Sequence, residues 1–73
     1  MTKKRLREIG IVLASARQEI GTQKDVAELT GLGLRTLQRL EHGDPRPWGR
    51  AANVVLLRET GLISARIADE VLT

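Results

Sequence analysis

Three long polar side chains, Arg35, Gln38 and Arg39, lie within five positions near the middle of the chain. Residues three and four positions apart share one face of a helix, so all three can act on the same partner. An arginine can donate paired hydrogen bonds to guanine, and a glutamine can pair with adenine, each discriminating by roughly 1–3 kcal/mol. These residue types therefore suit contact with the edges of bases, and an ordinary solvated helix face is the alternative.

These side chains need a helix that turns them outward. Leu37 and Leu40 supply an inward face, which predicts a third helix from about Gly33 to Glu41 that stops at His42 and Gly43. The second helix comes just before this third helix. Thr22 is a suitable N-terminal cap for the second helix.

The predicted second helix has a start and a stop signal. Thr22, followed three residues later by Asp25, is close to a capping box, and Gly31 can end the helix in a left-handed conformation. The two helices are thus separated by only a short turn that contains glycine, which indicates that the angle between them matters. The buried side of the second helix is predicted to hold Val26, Ala27 and Leu29.

Three further helices are predicted around this pair. The first runs from Lys4 to about Glu19, and a fourth runs from about Trp48 or Gly49 to Thr60. A short fifth helix follows Gly61. Residues 44–47 are predicted to be a loop, because each of their two prolines removes a backbone donor. The apolar positions that define the first helix are Leu6, Ile9, Leu13, Ala16 and Ile20.

Composition favours one small all-α domain over residues 1–73, a compact bundle of five short helices. The chain has no Cys, one His and one aromatic residue, Trp48, so neither disulfides nor a thiolate metal site can support it. Residues 1–50 carry 10 basic and 6 acidic side chains, against 2 and 3 in residues 51–73. The basic excess therefore lies in the part that would meet a polyanion. We expect a soluble cytoplasmic protein, since no apolar run is long enough to cross a membrane.

The stretch Thr22 to Gly43 resembles the helix-turn-helix of the lambda-repressor/Cro-like family, also called the xenobiotic-response-element (XRE) family. It departs from the usual pattern in a shorter turn before Thr22 and in Gly33-Leu34 at the start of the third helix. The matching elements are Thr22-Gln23, Ala27-Glu28, Gly31-Leu32, Thr36-Leu37 and Arg39-Leu40-Glu41-His42-Gly43.

The resemblance implies sequence-specific binding of duplex DNA, with the third helix in the major groove. It also implies that Arg17 of the first helix pairs with Glu41, which would tie the third helix to the rest of the domain. The candidate base contacts are Leu34, Arg35, Gln38 and Arg39, and the candidate phosphate contacts are Thr22, Gln23, Lys24, Thr36 and Arg46.

Several of these assignments have an alternative. Thr22 and Gln23 can simply cap the second helix. Arg39 can contact a phosphate and not a base. Leu34 can touch a thymine methyl group or pack under the turn.

The C-terminal third carries more apolar residues than one core-facing stripe can bury. Residues 54–57 are all apolar and wrap most of the way around a helix. Either the fifth helix folds back over Val55 within one chain, or these residues form a two-fold homodimer interface across residues 48–72. A dimer would set two third helices roughly 34 Å apart. The candidate interface residues are Val55, Leu62, Ile63, Ile67 and Val71.

We therefore expect a homodimeric transcriptional regulator, most simply an (auto)repressor that binds a pseudo-palindromic operator. The resemblance implies a phage, a mobile element or a toxin–antitoxin pair as its setting, without choosing among them. The rival hypothesis is an antitoxin or anti-activator that grips a protein partner, a toxin or an activator, with its C-terminal apolar strip. No catalytic cluster, cofactor motif or metal-ligand spacing is convincing, so we do not expect an enzyme. Nor do we expect a separate small-molecule sensor domain, and control should come from concentration, autoregulation or a protein partner.

Overall fold

Six α-helices and no strands make up the computed structural model, which describes all 73 residues. They are α1 (Lys3–Ile20), α2 (Gln23–Thr30), α3 (Leu34–Glu41), α4 (Pro45–Trp48), α5 (Ala51–Glu59) and α6 (Ala65–Leu72). They pack into a body of 29 × 20 × 19 Å. The all-α prediction is confirmed. None of the helices is long and apolar enough to cross a membrane.

The ends of the predicted second helix are confirmed in detail. The Thr22 hydroxyl accepts a hydrogen bond from the backbone N–H of Asp25 at 3.2 Å, and the Asp25 carboxylate accepts one from the Thr22 N–H at 3.5 Å. Gly31 adopts φ 80°, a left-handed conformation that favours glycine. Residues 31–33 form the whole connection between α2 and α3. This short turn therefore keeps the end of α2 next to the start of α3.

The prediction of five helices with a loop at residues 44–47 was wrong, because α4 forms there. The Asp44 side chain accepts a hydrogen bond from the N–H of Arg46 at 3.0 Å and caps the turn. Pro45 and Pro47 occupy the first and third helical positions, where a backbone N–H has no partner within the helix anyway. The missing donors therefore cost nothing in so short a helix. The next helix begins later than predicted, at Ala51.

One apolar core links all six helices. Its fully enclosed residues include Ile9 and Leu13 of α1, Leu37 of α3 and Leu57 of α5. Trp48 is also buried, and its indole N–H donates to the carbonyl of Leu40 at 2.8 Å. The remaining core residues are Leu6, Val26, Ala27, Leu32, Leu40, Val54, Leu62, Ile63 and Ala68.

Two predicted inward positions are exposed. Leu29 was expected on the buried side of α2, yet its side chain is 75% exposed. Val26, Ala27 and Thr30 fill that side, and Leu29 lies beyond its edge. Ile20 continues the apolar repeat of α1 but is 54% exposed, because it is the last residue of the helix.

The crossing of α1 and α3 depends on glycine. A Cβ atom on Gly10 would collide with the carbonyl oxygen of Glu41, at the end of α3. Just beyond that end, Gly43 has φ 78°, and a Cβ there would lie 2.8 Å from the Cα of Arg7. The backbones of the two helices therefore approach closely, which fixes the position of α3 against α1.

Candidate functional site

The outward face of α3 is polar and open. Leu37 and Leu40 are fully buried, and this orientation turns Arg35 and Arg39 into solvent, with Gln38 partly buried between them. Leu34, at the start of the helix, is 41% exposed and does not pack fully beneath the turn. The four predicted base contacts thus lie on the side of α3 away from the core.

The Gln38 side chain is held by α2. Its amide nitrogen donates to the side-chain oxygen of Gln23 at 3.3 Å. The amide nitrogen of Gln23 in turn donates to Glu41 at 3.1 Å. Gln23 therefore bridges two residues of α3. Nothing in the spacing along the chain indicated this link, since only the fold brings the first residue of α2 beside the exposed face of α3.

The predicted pair of Arg17 and Glu41 is present. Arg17 donates from Nε and from one terminal nitrogen to the two carboxylate oxygens, both at 2.9 Å. The side chains are only 11% and 7% exposed. Burial raises the pKa of the Glu41 carboxyl, but hydrogen bonds from Arg17 and Gln23 and the charge of Arg17 outweigh it, and the pKa is lowered overall. Glu41 is therefore a charged anchor for both Arg17 and Gln23.

Four of the five predicted phosphate contacts lie in two separate parts of the surface. Thr22 and Lys24 are exposed at the N-terminal end of α2, where the Thr22 hydroxyl is engaged in the cap. Thr36 and Arg46 lie elsewhere, in a cleft of about 280 Å³ beside the exposed face of α3. The cleft is lined by Thr36, Arg39, Arg46, Pro47, Arg50 and Asn53.

Arg39 belongs to this cleft together with Arg46. From the sequence, Arg39 is a candidate base contact, with a phosphate contact as its alternative. Arg35 does not line it. The two arginines of α3 therefore differ in their surroundings, with Arg35 on the open face and Arg39 beside two further arginines. Arg50 is a candidate phosphate contact from the sequence as well, but Asn53 is not, and no spacing along the chain indicated that both reach one cleft from the start of α5.

The predicted C-terminal interface needs correction in part. Leu62 and Ile63 are only 2% and 4% exposed, since they pack in the core of the same chain, and they are not available to a partner. Val55, Ile67 and Val71 are partly buried. α6 folds back against α5, as the single-chain alternative expected.

An ion pair between the two ends of the chain was not anticipated. Arg5 of α1 donates two hydrogen bonds to the carboxylate of Glu70 in α6, at 2.6 and 2.8 Å. The hydrogen bonds from Arg5 lower the pKa of Glu70. The partners are 65 residues apart, and no local pattern predicts such a contact.

No protein-family model matches this chain, and comparison with curated proteins and with solved structures also gives no match. The functional assignment consequently depends on the residues and their geometry.

Proposed function

We propose that this chain is a sequence-specific regulator of transcription that binds double-stranded DNA through α3. The observation that carries the proposal is the outward face of α3, where Arg35 stands free and Gln38 is oriented by a hydrogen bond from α2. In this proposal α2 and α3 form a helix-turn-helix of the lambda-repressor-like type, with α3 in the major groove.

The Gln38 amide keeps the groups that adenine requires. One of its two N–H donors goes to Gln23, which leaves a second N–H and the carbonyl oxygen free. Adenine presents N7 as an acceptor and its N6 amino group as a donor in the major groove. A glutamine held in one orientation can pair with both, and it loses less side-chain entropy on binding than a free one.

Arg35 is the candidate for guanine. It is exposed, makes no ion pair, and lies one turn before Arg39 on the same face. Its guanidinium can donate to the O6 and N7 of one guanine, the commonest specific contact between protein and DNA. Leu34, also exposed, is the candidate for contact with a thymine methyl group.

A homodimer is part of the proposal. In a dimer, Val55, Ile67 and Val71 of two copies would face one another, completing the burial that one chain leaves unfinished. The paired α3 helices would then bind a pseudo-palindromic operator, and binding over a promoter would repress transcription. The antitoxin or anti-activator alternative would use the same strip for another protein.

The test is the selection of bound duplexes from a random DNA library near physiological salt. We expect enrichment of an inverted repeat whose half-sites are centred about one helical turn apart, roughly 34 Å. Arg35→Ala should lose the preference at one base pair in each half-site while the protein stays folded. Arg58→Ala, at an exposed position near the end of α5, is the matched control and should select the wild-type sequence.

Two outcomes would contradict the proposal. Folded protein that enriches no sequence would leave α3 without its assigned role. An unchanged preference in Arg35→Ala would remove the guanine contact from that residue.

Affinity for DNA should also fall steeply as salt rises, because counterions are released on binding, whereas an apolar protein contact would not respond in this way.

A further inference from the structure

The cleft beside α3 gathers positive charge from three helices and their junctions. Arg39 comes from the last turn of α3, Arg46 from α4 and Arg50 from the residue that precedes α5. No carboxylate lines it. A cavity of about 280 Å³ with this lining has room for an oxyanion and part of the group that carries it.

None of the three arginines is neutralised within the molecule. The ion pairs of the chain use Arg5 and Arg17 only, and no side-chain nitrogen of the three cleft arginines donates a hydrogen bond. Like charges held close together repel, and the repulsion opposes folding. An anion placed among them would remove that repulsion and satisfy several guanidinium donors at once.

The start of α5 also borders the cleft, because Arg50 and Asn53 both line it. Arg50 is the N-cap of α5, its side chain makes no capping hydrogen bond, and no acidic residue lies in the first turn. The side chain of Asn53 donates to the carbonyl of Pro47 at 3.0 Å, which ties α5 to α4 across the cleft. This bond fixes the start of α5 against α4 before any ligand arrives, while the three arginine side chains are exposed and free to turn toward a ligand.

We propose that this cleft is a preformed binding site for a phosphate group, and that Arg39 serves it and not a base. The phosphate can be supplied by the DNA backbone or by a free phosphorylated small molecule. The two sources use the same arginines, so a free phosphorylated compound competes with DNA. The DNA source rests on the proposed function, whereas the anion site does not. A small anion bound within this domain would thus control DNA binding.

The first test uses pyrophosphate as the free ligand. Thermal unfolding is followed by circular dichroism at rising pyrophosphate, with sodium chloride of equal ionic strength as the reference. We expect the melting temperature to rise in the wild-type protein and in Arg58→Gln, an exposed arginine outside the cleft. In Arg50→Gln the half-saturating concentration should increase about tenfold, the effect of losing one charge-assisted hydrogen bond.

Arg50→Gln also has an expected effect without ligand. In chloride alone it should be at least as stable as the wild type, because one of three repelling charges is gone. Arg46→Gln should behave in the same way and provides a second, independent variant. Equal responses to pyrophosphate in the wild type and both cleft variants would exclude a free phosphorylated compound as the ligand of this cleft.

The second test uses duplex DNA and identifies the source. The slope of log affinity against log salt should fall by about 0.9 in Arg50→Gln if a backbone phosphate occupies the cleft. Pyrophosphate should displace the duplex from wild-type protein more effectively than from Arg50→Gln. An effect of Arg50 on duplex alone assigns the site to the DNA backbone. An effect on pyrophosphate alone keeps the anion site and excludes the DNA backbone as its ligand, while the proposed DNA function is judged separately by the duplex selection. No effect on either rejects the site.

Discussion

The amide of Gln38 is the most constrained group on the outward face of α3. It bonds to Gln23, which bonds to Glu41, which bonds to Arg17. The chain of hydrogen bonds runs from the exposed face of α3 to α1 through α2. The orientation of the Gln38 side chain on the exposed face of α3 therefore depends on the nearly buried ion pair of Arg17 with Glu41.

Replacing Gln38 by Ala should abolish the preference for adenine at one position of each half-site. The expected loss is about 1–3 kcal/mol of discrimination, because the paired donor and acceptor are removed. Gln23→Ala should weaken discrimination at the same base pair by less, since it frees the Gln38 amide without removing it. Competition binding with single-base-pair variants of the selected operator measures both effects. A change at some other base pair in Gln38→Ala would rule out this contact.

The ion pair of Arg17 with Glu41 predicts how stability depends on pH. The folded-state pKa of Glu41 is lowered, so its contribution is complete above the unfolded value of about 4.3 and is lost as the pH falls through the lower folded value. Glu70 acts in the same direction. Thermal melts between about pH 6 and pH 2 should show stability falling over the acid range.

Arg17→Ala should reduce stability at neutral pH by about 3–5 kcal/mol, because a nearly buried carboxylate loses its partner. Without Arg17 the pKa of Glu41 loses its hydrogen bonds to Arg17 and the charge of that residue, while the effect of burial stays, so the pKa moves up from its value in the wild type. The loss of stability between about pH 5 and pH 3 should therefore be smaller than in the wild type. Urea titrations at several pH values measure it, and an acid response equal to that of the wild type would contradict this role.

Residue roles differed in how far the sequence could predict them. The pair of Arg17 and Glu41 was expected because the surrounding motif implies it. The pair of Arg5 and Glu70, and the link from Gln23 to Gln38, join residues that only the folded chain brings together. A sequence shows which face of a helix is polar, but not which side chain of another helix lies next to it.

At the scale of the helices, the close approach of α1 to α3 leaves no room for a side chain at Gly10. Gly10→Ala should destabilise the fold by about 1–3 kcal/mol, because the added methyl group must displace the end of α3. For a domain of this size, each 1 kcal/mol lowers the melting temperature by roughly 4–8 °C. Gly33→Ala is the matched control. Its Cβ would meet nothing closer than Thr36 Oγ1 at 3.6 Å, so it should lower the melting temperature by less than Gly10→Ala, through the smaller cost of alanine at the N-cap of α3.

The two helix-scale errors have a common cause. The rule that proline breaks a helix fails at residues 44–47, because a four-residue helix consists only of the positions where proline is tolerated. The rule that an apolar residue points inward fails at Leu29, because α2 has eight residues and buries only a narrow side. In long helices, apolar residues and prolines indicate well which residues are buried and where a helix ends. In short helices, burial and helix formation depend on the position of each residue within the helix.

At the scale of the whole molecule, one chain leaves the apolar residues Val55, Ile67 and Val71 only partly buried. We expect a homodimer in sedimentation equilibrium at micromolar concentration. Ile67→Asp should shift it to monomer while the helical circular dichroism spectrum is retained. Leu29→Asp is the control, since Leu29 is exposed but lies on α2, away from the proposed interface. A monomeric wild-type protein at concentrations that bind DNA would contradict the dimer.

Trp48 gives the molecule a built-in optical reporter. It is the sole tryptophan, it is 2% exposed, and its indole N–H is bonded to the carbonyl of Leu40 in α3. Its neighbour in the chain, Pro47, lines the cleft. A ligand that shifts α4 against α3 would alter the environment of this ring, and its fluorescence emission would change. Occupancy of the cleft can thus be followed on unlabelled protein, with no other fluorophore to obscure the signal.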